Sequence, residues 1–583
     1  MQLAMLNGRE LYYAIISGAK KILNERTHLN KINVFPVPDG DTGNNMSYMM
    51  QRIITDAKPS DSISDAMESI ANAAISGSRG NSGIIFAEYL NGLYEHLKGK
   101  NTVYLVEFHE AIKNGIKKAY EALVNPVEGT ILTVLRKSFD IEVEGDDFVE
   151  YFDRILVRAK IALEETTNEL EILKINKVVD AGASGFTSFL EGMTQYIKTK
   201  EAVVYTETED IDHEEVAHDM IVDERYCTEA LMSDVKVGTS QLKEIFKDLG
   251  TSLIVSGRQD KMRMHIHTNK PEEVFYRLRD YANIIEQKVD DMIRQQQSLA
   301  PEHPRIAIVT DSIADIPMDI RDKYQIHLMP INLMVDNVSF LDKVTITTET
   351  FYKLMDDVES FSSSQPDKMF IERNLKYLEE HYDDIIVVTV ASKLSGTYNA
   401  FYQYAKKNPK IHVIDSKQNS GAQGLVVLEV AKMIEKGKSV KEILDDIPNF
   451  INRTKIYVSV KTLKYMVKMG RVKKVTGLIA KIINLKPVIS LGKEGEGIIK
   501  TKAFSLNGNV KKIIKLVKQE KVTQYIMVHA QAEERASKLA LKLEKILGFK
   551  PLYTTEISPI VAMNAGIGAI AVALTYEKEV EWC

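Results

Sequence analysis

The stretch Asn33–Met46, NVFPVPDGDTGNNM, sets the reading of the first third of the chain. Asp39 and Asp41 stand two apart in a turn rich in proline and glycine, between one helical pattern and the next. Such a turn cannot bury its carboxylates in a core, and it points them together. Converging carboxylates need a cation, and a hard divalent ion with oxygen ligands is the natural one. Magnesium held this way keeps open positions for substrate phosphates. The spacing D-x-D-x-G-x-N also opens a calcium loop, but that loop needs a bidentate glutamate at its twelfth position, where Met50 stands. A solvated acidic turn is the plain alternative.

Upstream of the turn, Leu11, Ala14, Ile15, Ala19, Ile22 and Leu23 recur at helical spacing and predict a helix to about Leu29. Downstream, Ser62 with Asp65 three residues on reads as a helix start, with Ile63, Met67 and Ile70 on one face. Then comes Ser76–Gly83, SGSRGNSG, whose small residues let backbone N–H groups approach an anion. A helix expected from Ile84 adds its positive end. A tight helix–helix turn is the alternative. Neither the Walker nor the Rossmann glycine pattern is present. Helices are expected at about 103–123 and 147–167, with Asn125–Arg136 between them. Val178–Phe186, VVDAGASGF, is a second small-residue turn into a helix. An all-α domain over residues 1–200 with three functional loops is therefore expected. The acidic turn and the two anion-friendly turns suggest a nucleoside triphosphate and Mg²⁺.

At 583 residues the chain is too long for one core, and about three domains are expected. Its 44% hydrophobic and 27% charged residues are those of a globular protein, and a net charge of −6 gives no basic surplus for nucleic acid. Two cysteines, Cys227 and Cys583, exclude a disulfide framework and fit a reducing compartment. The first residues lack a basic segment followed by an apolar core, and no run of about 18 apolar residues occurs, so no transmembrane segment and a cytoplasmic location are expected.

Residues 201–220 are dense in Asp and Glu and read as an acidic linker. Residues 221–294 then give the order β-α-β-β-α-β, the pattern of a small α+β ferredoxin-like domain. The strands are Ile221–Met232, Ser252–Ser256, Met262–Thr268 and Ile284–Val289; the helices are Thr239–Leu249 and Pro271–Asp280. His265 and His267 share one face of a strand. With Cys227 they make a donor set suited to Zn²⁺, although two histidines on a strand are more often ordinary polar residues.

Residues 303–583 change texture. Strands are expected at Ile306–Thr310, Ile385–Val390, His412–Asp415, Ile456–Val460, Tyr525–His529 and Ala569–Thr575, separated mostly by helices. That is a two-lobed α/β domain with parallel sheets, breaking near Ile451–Lys455. Ligands in such folds sit beyond the carboxyl ends of strands. Hydroxyls gather there at Thr310-Asp311-Ser312, Ser362-Ser363-Ser364 and Ser395-Gly396-Thr397. Together with helix N-termini they suit a small anion such as a carboxylate, while taken singly each is an ordinary helix cap.

Three segments carry a resemblance. N-x-F-P-V-P-D-G-D-T-G-x-N-M, G-S-R-G-N-S-G and V-D-A-G-A-S-G-F resemble the nucleotide-binding domain of the dihydroxyacetone kinase family, and more closely the kinase subunit of bacterial fatty acid kinase. The resemblance implies a helical barrel holding ATP through magnesium on Asp39 and Asp41. Asn33 stands where dihydroxyacetone kinases have a third acidic residue. Thr42, Asn44 and Asn45 complete the first motif. Ser78, Gly80, Asn81, Ser82 and Gly83 fall in the phosphate loop, with Arg79 a candidate to neutralise developing charge or else a structural ion-pair partner. Asp180, Ala181 and Gly182 fall in the loop that closes the site. Y-C-T-E and M-H-I-H-T-N-K-P resemble the middle domain of the same kinase subunit, which favours zinc on Cys227, His265 and His267. V-T-D-S-I-A-D-I-P, S-S-Q-P, L-S-G-T-Y-N, L-K-Y-M-V-K-M-G-R-V and L-K-P-V-I resemble the DegV family, the fatty-acid-binding partner of that kinase. The implied carboxylate site falls at Ser363 and Ser395, with Arg471 near its mouth and Asn564 where the family commonly has histidine.

The resemblance implies phosphorylation of a bound fatty acid to an acyl phosphate, feeding exogenous fatty acid into phospholipid synthesis. A downstream acyltransferase, not identifiable from this chain, would consume the product. A transient contact with a membrane surface and docking within a homodimer are compatible partner readings. Two alternatives remain: a lipid-sensing protein with a non-phosphorylating nucleotide domain, and a dihydroxyacetone-type small-molecule kinase. The second lacks its histidine-bearing ketone site.

Overall fold

A computed structural model describes residues 3–36, 38, 40–206, 223–300, 302–336, 338–355, 360–463, 465–466, 469 and 486–579. Asp39, Arg471, Cys583 and most of the acidic linker lie outside them. The chain divides into two compact units, Met1–Pro301 and Glu302–Cys583.

The first unit begins with helices. Gly8–Asn24 opens on a capping box between Asn7 and Glu10, and buries Leu11, Ala14, Ile15, Ala19 and Ile22. It stops short of the expected Leu29, and a separate short helix, Arg26–Lys31, leads into the acidic turn. Thr42–Asp56 leaves that turn. Ile63–Gly77 is capped by Ser62, whose hydroxyl accepts the Asp65 amide at 3.3 Å. The next helix, Gly80–Leu97, starts four residues before the expected Ile84. Most of SGSRGNSG is thus helical, and the break between helices is Ser78–Arg79. Leu105–Glu121, Ile131–Phe139, Phe148–Glu169, Glu171–Asn176 and Ala181–Thr199 complete the helical part, with a three-residue strand pair, Met5–Asn7 and Thr102–Tyr104, beside them. Its core includes Phe86, Phe186 and Phe189 in edge-to-face contact, with centroids 4.9–5.5 Å apart. Residues 201–206, the start of the expected linker, lie along the first helix: the Val203 amide donates to Ser17 Oγ at 3.0 Å and Asn24 Nδ2 to the Val204 carbonyl at 3.1 Å.

The α+β part has the β-α-β-β-α-β order the sequence predicts. Its four antiparallel strands lie in the order Thr251–Arg258, Lys261–Thr268, Tyr226–Ser233, Asn283–Asp291. Helix Thr239–Phe246 joins Tyr226–Ser233 to the edge strand Thr251–Arg258, Pro271–Leu278 joins Lys261–Thr268 to the other edge strand Asn283–Asp291, and Met292–Leu299 follows. This sheet packs on the helices. Ile254 belongs to the helical core, the Val255 amide donates to the Ala122 carbonyl at 3.2 Å, and the Gly257 amide to Glu88 Oε2 at 2.8 Å.

The second unit holds three sheets. Ile411–Asp415, Asp384–Thr389, Ile306–Asp311 and His327–Met329 form a parallel sheet. Val338–Leu341, Asn332–Val335 and Phe361–Ser364 form a small antiparallel one, so Ser362–Ser364 is strand, and the helix Lys368–His381 follows it. The third sheet corrects the expectation of parallel pairing. Its order is Gly497–Thr501, Val488–Leu491, Thr454–Ser459, Ile570–Tyr576, Val522–His529, Thr554–Glu556, and the last pair alone is parallel. The reason is local at its first pair: a tight turn closed by the Gly492 amide on the Glu496 carbonyl at 2.8 Å makes a hairpin, which forces antiparallel pairing.

Candidate functional site

A polar cavity of about 40 Å³ in the first unit is lined by Asn33, Asp41, Thr42, Asn45, Arg79, Gly80, Asn81, Ser82, Cys227, His265 and His267, with Phe35 and Pro36. Asp41 stands at the N-cap of Thr42–Asp56, and its side chain makes no capping hydrogen bond. Thr42 Oγ1 donates to Asn33 Oδ1. Asn81 Oδ1 is buried with no hydrogen-bond partner, an acceptor suited to a cation or its water. Two glycines draw the loops together. Gly80 has a φ of +62°, and a Cβ there would stand 2.7 Å from Asn45 Nδ2; one on Gly182 would overlap Ser82 Oγ. The third loop therefore abuts the second.

The other expected residues take supporting positions. Ser78 is fully buried and its hydroxyl donates to the Ile75 carbonyl at 3.0 Å. The Asn44 amide donates to Asn30 Oδ1 at 3.0 Å. Gly83 lies in the first turn after the break. Asp180 caps Ala181–Thr199 by accepting the Ala183 amide at 2.7 Å. Burial raises its carboxyl to about 6 against the lowering by backbone donors of Ala183, Ile131 and Gly182. Arg79 borders the cavity with its guanidinium 3.5 Å from the Tyr48 ring centroid and 3.3 Å from Glu286 Oε1. Arg79 thus lines the cavity and is an ion-pair partner.

Sequence reasoning treated Cys227, His265 and His267 as a separate site; the structure puts them in the same cavity as Asp41. Adjacent strands place Cys227 opposite His267. Ligand atoms of the three lie within 4.8 Å of one another, and among the described residues they are a group of three His and Cys side chains close enough to hold one metal ion. Cys227 Sγ is 3.8 Å from His265 Nδ1, and His265 Nε2 is buried without a hydrogen-bond partner. Burial pushes the thiol well up and drives the His267 imidazole down to about 3, His265 adding to the latter. A neutral imidazole offers its lone pair, and a buried thiol becomes a thiolate when a cation compensates the charge. The set fits a soft divalent ion such as zinc, with a fourth position open.

A buried ionic cluster backs this group. Glu229 Oε1 accepts the Gly80 amide at 2.7 Å and lies 3.4 Å from His265 Nδ1. Its other oxygen accepts from Arg263 Nη1 at 3.2 Å. Arg263 donates onward to the Ile75 and Ser76 carbonyls at 3.3 and 2.9 Å, just ahead of the break at Ser78–Arg79. Lys288 Nζ is 3.8 Å from Glu229 and 2.6 Å from Asp290. Burial alone would raise the Glu229 carboxyl, but Lys288, His265 and Arg263 outweigh it and hold it well below its usual value. No spacing rule links these residues, so the sequence carried no signal for the cluster beyond charges at strand positions that ought to be apolar.

The second unit encloses a cavity of about 120 Å³ with mainly apolar walls, among them Ile313, Ile331, Val390, Leu394, Ile456 and Ile489. Ser363, Ser395 and Asn564 all line it. Ser395 Oγ is 2.8 Å from Thr397 Oγ1, and Asn564 Nδ2 donates to the Ile560 carbonyl at 2.8 Å, leaving Asn564 Oδ1 buried without a partner. Thr310, Asp311 and Ser312 are used otherwise. Thr310 Oγ1 donates to the Val388 carbonyl at 2.9 Å, Asp311 accepts the Val390 and Ile313 amides at 2.7 and 3.0 Å, and Ser312 Oγ accepts the Ile331 amide at 3.1 Å. His529 also lines the cavity, its Nδ1 2.7 Å from Glu556 Oε2 but off the hydrogen-bonding direction. Its position at the end of Val522–His529 was the signal that could have found it.

Three family models match the chain. Residues 36–195 match the DAK2 domain, 223–299 the middle domain of proteins like the kinase subunit of fatty acid kinase, and 305–577 the DegV family, described as uncharacterised proteins. Two curated relatives are uncharacterized proteins, one of Staphylococcus saprophyticus, 32% identical over 315 residues, and one of Staphylococcus aureus strain USA300, 30% identical over 343. The matches span 50% and 54% of this chain, and 56% and 62% of those relatives. Among solved structures, a DegV family protein from Thermus thermophilus, described as fatty acid binding, is 24% identical with a TM-score of 0.43, covering 47% of this chain and 99% of its own. A Thermotoga maritima protein, described as revealing a fatty acid binding function, is 26% identical with a TM-score of 0.42, covering 47% and 100%.

Proposed function

We propose that this chain, which joins a DAK2 domain, a fatty-acid-kinase-type middle domain and a DegV domain in one polypeptide, transfers the terminal phosphoryl group of ATP to the carboxylate of a bound fatty acid. The observation that carries the reading is the meeting of Asp41, Asn81, Ser82 and Arg79 in one polar cavity, in a chain that also encloses a separate apolar cavity edged by Ser363 and Ser395. Asp39 and Asp41 would hold magnesium, with Asn33, Thr42, Asn44 and Asn45 around them. Ser78, Gly80, Asn81, Ser82 and Gly83 would shape the phosphate side, and Asp180, Ala181 and Gly182 the closing side. Bound magnesium would neutralise charge on the phosphates.

The reaction asks little of acid–base chemistry. A carboxyl with an ordinary pKa near 4 is already ionised at neutral pH. One carboxylate oxygen attacks the terminal phosphorus, the bond from phosphorus to the bridging oxygen breaks, and ADP leaves with that electron pair. Transfer then rests on positioning and charge neutralisation. Arg79 would contribute if it turned from Glu286 towards the phosphates. The apolar walls around Ser363 and Ser395 would hold the acyl chain, with hydroxyls and Asn564 at its carboxylate. Carrying both functions on one polypeptide raises their effective concentration.

The finer assignments belong to the same reading: a helical barrel over residues 1–200, a linker over 201–220, a ferredoxin-like domain over 221–294 and the lipid carrier over 303–583. The order second, third, first, fourth of the antiparallel strands supports the ferredoxin-like name. Zinc on Cys227, His265 and His267, a cytoplasmic setting, a homodimer and an acyltransferase acceptor complete it. No helix among the described residues is long and apolar enough to cross a membrane. The test is to incubate the pure chain with ATP, Mg²⁺ and oleate and trap acyl phosphate with hydroxylamine. Lipid-dependent hydroxamate supports the kinase; bound lipid without hydroxamate supports a lipid sensor.

A further inference from the structure

Glu229 is fully buried on the central strand Tyr226–Ser233 and touches both halves of the polar cavity. On the loop side it accepts the amide of Gly80, the first residue of the helix Gly80–Leu97. Arg79, the residue before that helix, makes no side-chain cap, so a carboxylate from the α+β part does the capping at the positive helix end. On the cluster side the same oxygen lies 3.4 Å from His265 Nδ1. A proton on Nδ1 donated to Glu229 leaves the imidazole lone pair on Nε2, the atom that is buried without a partner. A carboxylate behind a ligating imidazole fixes both its tautomer and its ring orientation. Arg263 bonds the other Glu229 oxygen and the carbonyls of Ile75 and Ser76, so the carboxylate is itself held from the loop side.

We propose that Glu229 is a positioning residue that couples the two halves of the site: a soft divalent cation on Cys227, His265 and His267 and a magnesium-bound nucleoside diphosphate or triphosphate at the Gly80 loop bind cooperatively through it. A cation on His265 Nε2 polarises the imidazole, strengthens donation from Nδ1 to Glu229, and fixes the carboxylate that orders the Gly80 amide. The preordered loop then binds phosphates more tightly, and by thermodynamic reciprocity the nucleotide tightens cation binding by the same factor. The inference rests on the nucleotide-binding part of the proposed function and goes beyond it.

The test uses the full chain, stripped with a chelator and then reloaded with stoichiometric Zn²⁺, with MgADP affinity measured by calorimetry in both states. Zinc is expected to tighten MgADP by about fivefold or more in the wild type, a coupling at the low end of the usual range. Glu229→Gln, checked for cooperative unfolding, is expected to bring that ratio to near one and to weaken Zn²⁺, measured by chelator competition, about tenfold. A wild-type ratio of one overturns the proposal, as does a ratio that Glu229→Gln leaves intact. Should Glu229→Gln not fold, imidazole nitrogen shifts in the zinc-loaded wild type decide: the metal on His265 Nε2 with a proton on Nδ1 is expected, and the metal on Nδ1 contradicts the account. MgADP that binds but ignores zinc defeats this inference while sparing the kinase reading. Failure of MgADP to bind in either state defeats both.

Discussion

The two cavities are built by opposite means. The one in the first unit is small, polar and assembled from distant pieces: a turn near Asp41, a helix start at Gly80 and a strand pair bearing Cys227, His265 and His267. Behind it lies a buried network of Glu229, Arg263 and Lys288. The one in the second unit is larger and apolar, walled by aliphatic residues with a few hydroxyls at its edge. Charge placed by scaffolding suits phosphoryl transfer, where electrostatics carries the rate. An apolar chamber suits an acyl chain, where burial of surface carries the affinity. The first should fail when single polar atoms are removed, and the second should tolerate that but fail when filled.

The largest expected effect is at Asp41. Asp41→Ala should lower lipid-dependent hydroxamate formation by about 100-fold or more, a size typical of losing a group that stabilises developing charge. Extraction and mass spectrometry of the purified variant should still recover fatty acid at the wild-type ratio. If lipid is lost with Asp41, the two cavities do not divide the labour as stated.

Filling the second cavity gives the converse. Ala571→Phe puts a ring into its wall and should abolish co-purifying fatty acid while leaving MgADP affinity unchanged. Ser363→Ala with Ser395→Ala removes two hydroxyls only, and should weaken fatty acid binding by roughly 10-fold at about 1 kcal/mol or less each. Calorimetry with a soluble shorter-chain acid reads both.

Legibility in the sequence followed the same division. Motifs contiguous in the chain were readable: the acidic turn, the Ser76–Gly83 loop and the Val178–Phe186 loop do converge. The helix around Gly80 was placed late because glycines and serines read as loop, whereas here Glu229, about 150 positions away in the chain, supplies the cap that lets the helix begin there. The same distance hid the union of Cys227, His265 and His267 with Asp41, for pairing of a strand against a helix start leaves no periodic trace. Short apolar runs marked strands of the second unit but not their direction, which at the Gly492–Glu496 turn is set by the hairpin. Strand-end chemistry marked runs of hydroxyls, the resemblance to the DegV family pointed within them to Ser363 and Ser395, and His529 ends the strand Val522–His529.

A smaller effect is a pH dependence of stability in the second unit. Asp342 is fully buried, and burial raises its carboxyl to about 7 against the lowering by Lys343. In the unfolded chain it titrates near 4. Between those values the folded state holds a proton that the unfolded state lacks, so stability falls as pH rises through that window, by at most about 1.4 kcal/mol per pH unit. Thermal unfolding at pH 5 to 8 should show the loss, and Asp342→Asn should flatten it relative to the wild type.

The smallest expected effect is at Asn564. Its amide nitrogen is spent on Ile560, so Asn564→His should tighten fatty acid binding only about threefold, through a charge available at low pH. Calorimetry at pH 6 and pH 8 should show the gain at pH 6 alone.

The most direct measurement follows phosphate itself. The full chain is mixed with terminally labelled ATP, Mg²⁺ and oleate, quenched within one turnover and extracted for lipid. Label in the lipid fraction that requires both Mg²⁺ and oleate, and vanishes in Asp41→Ala, is the predicted result. Oleate recovered from the protein with no label on it, while ATP remains bound, would contradict the account.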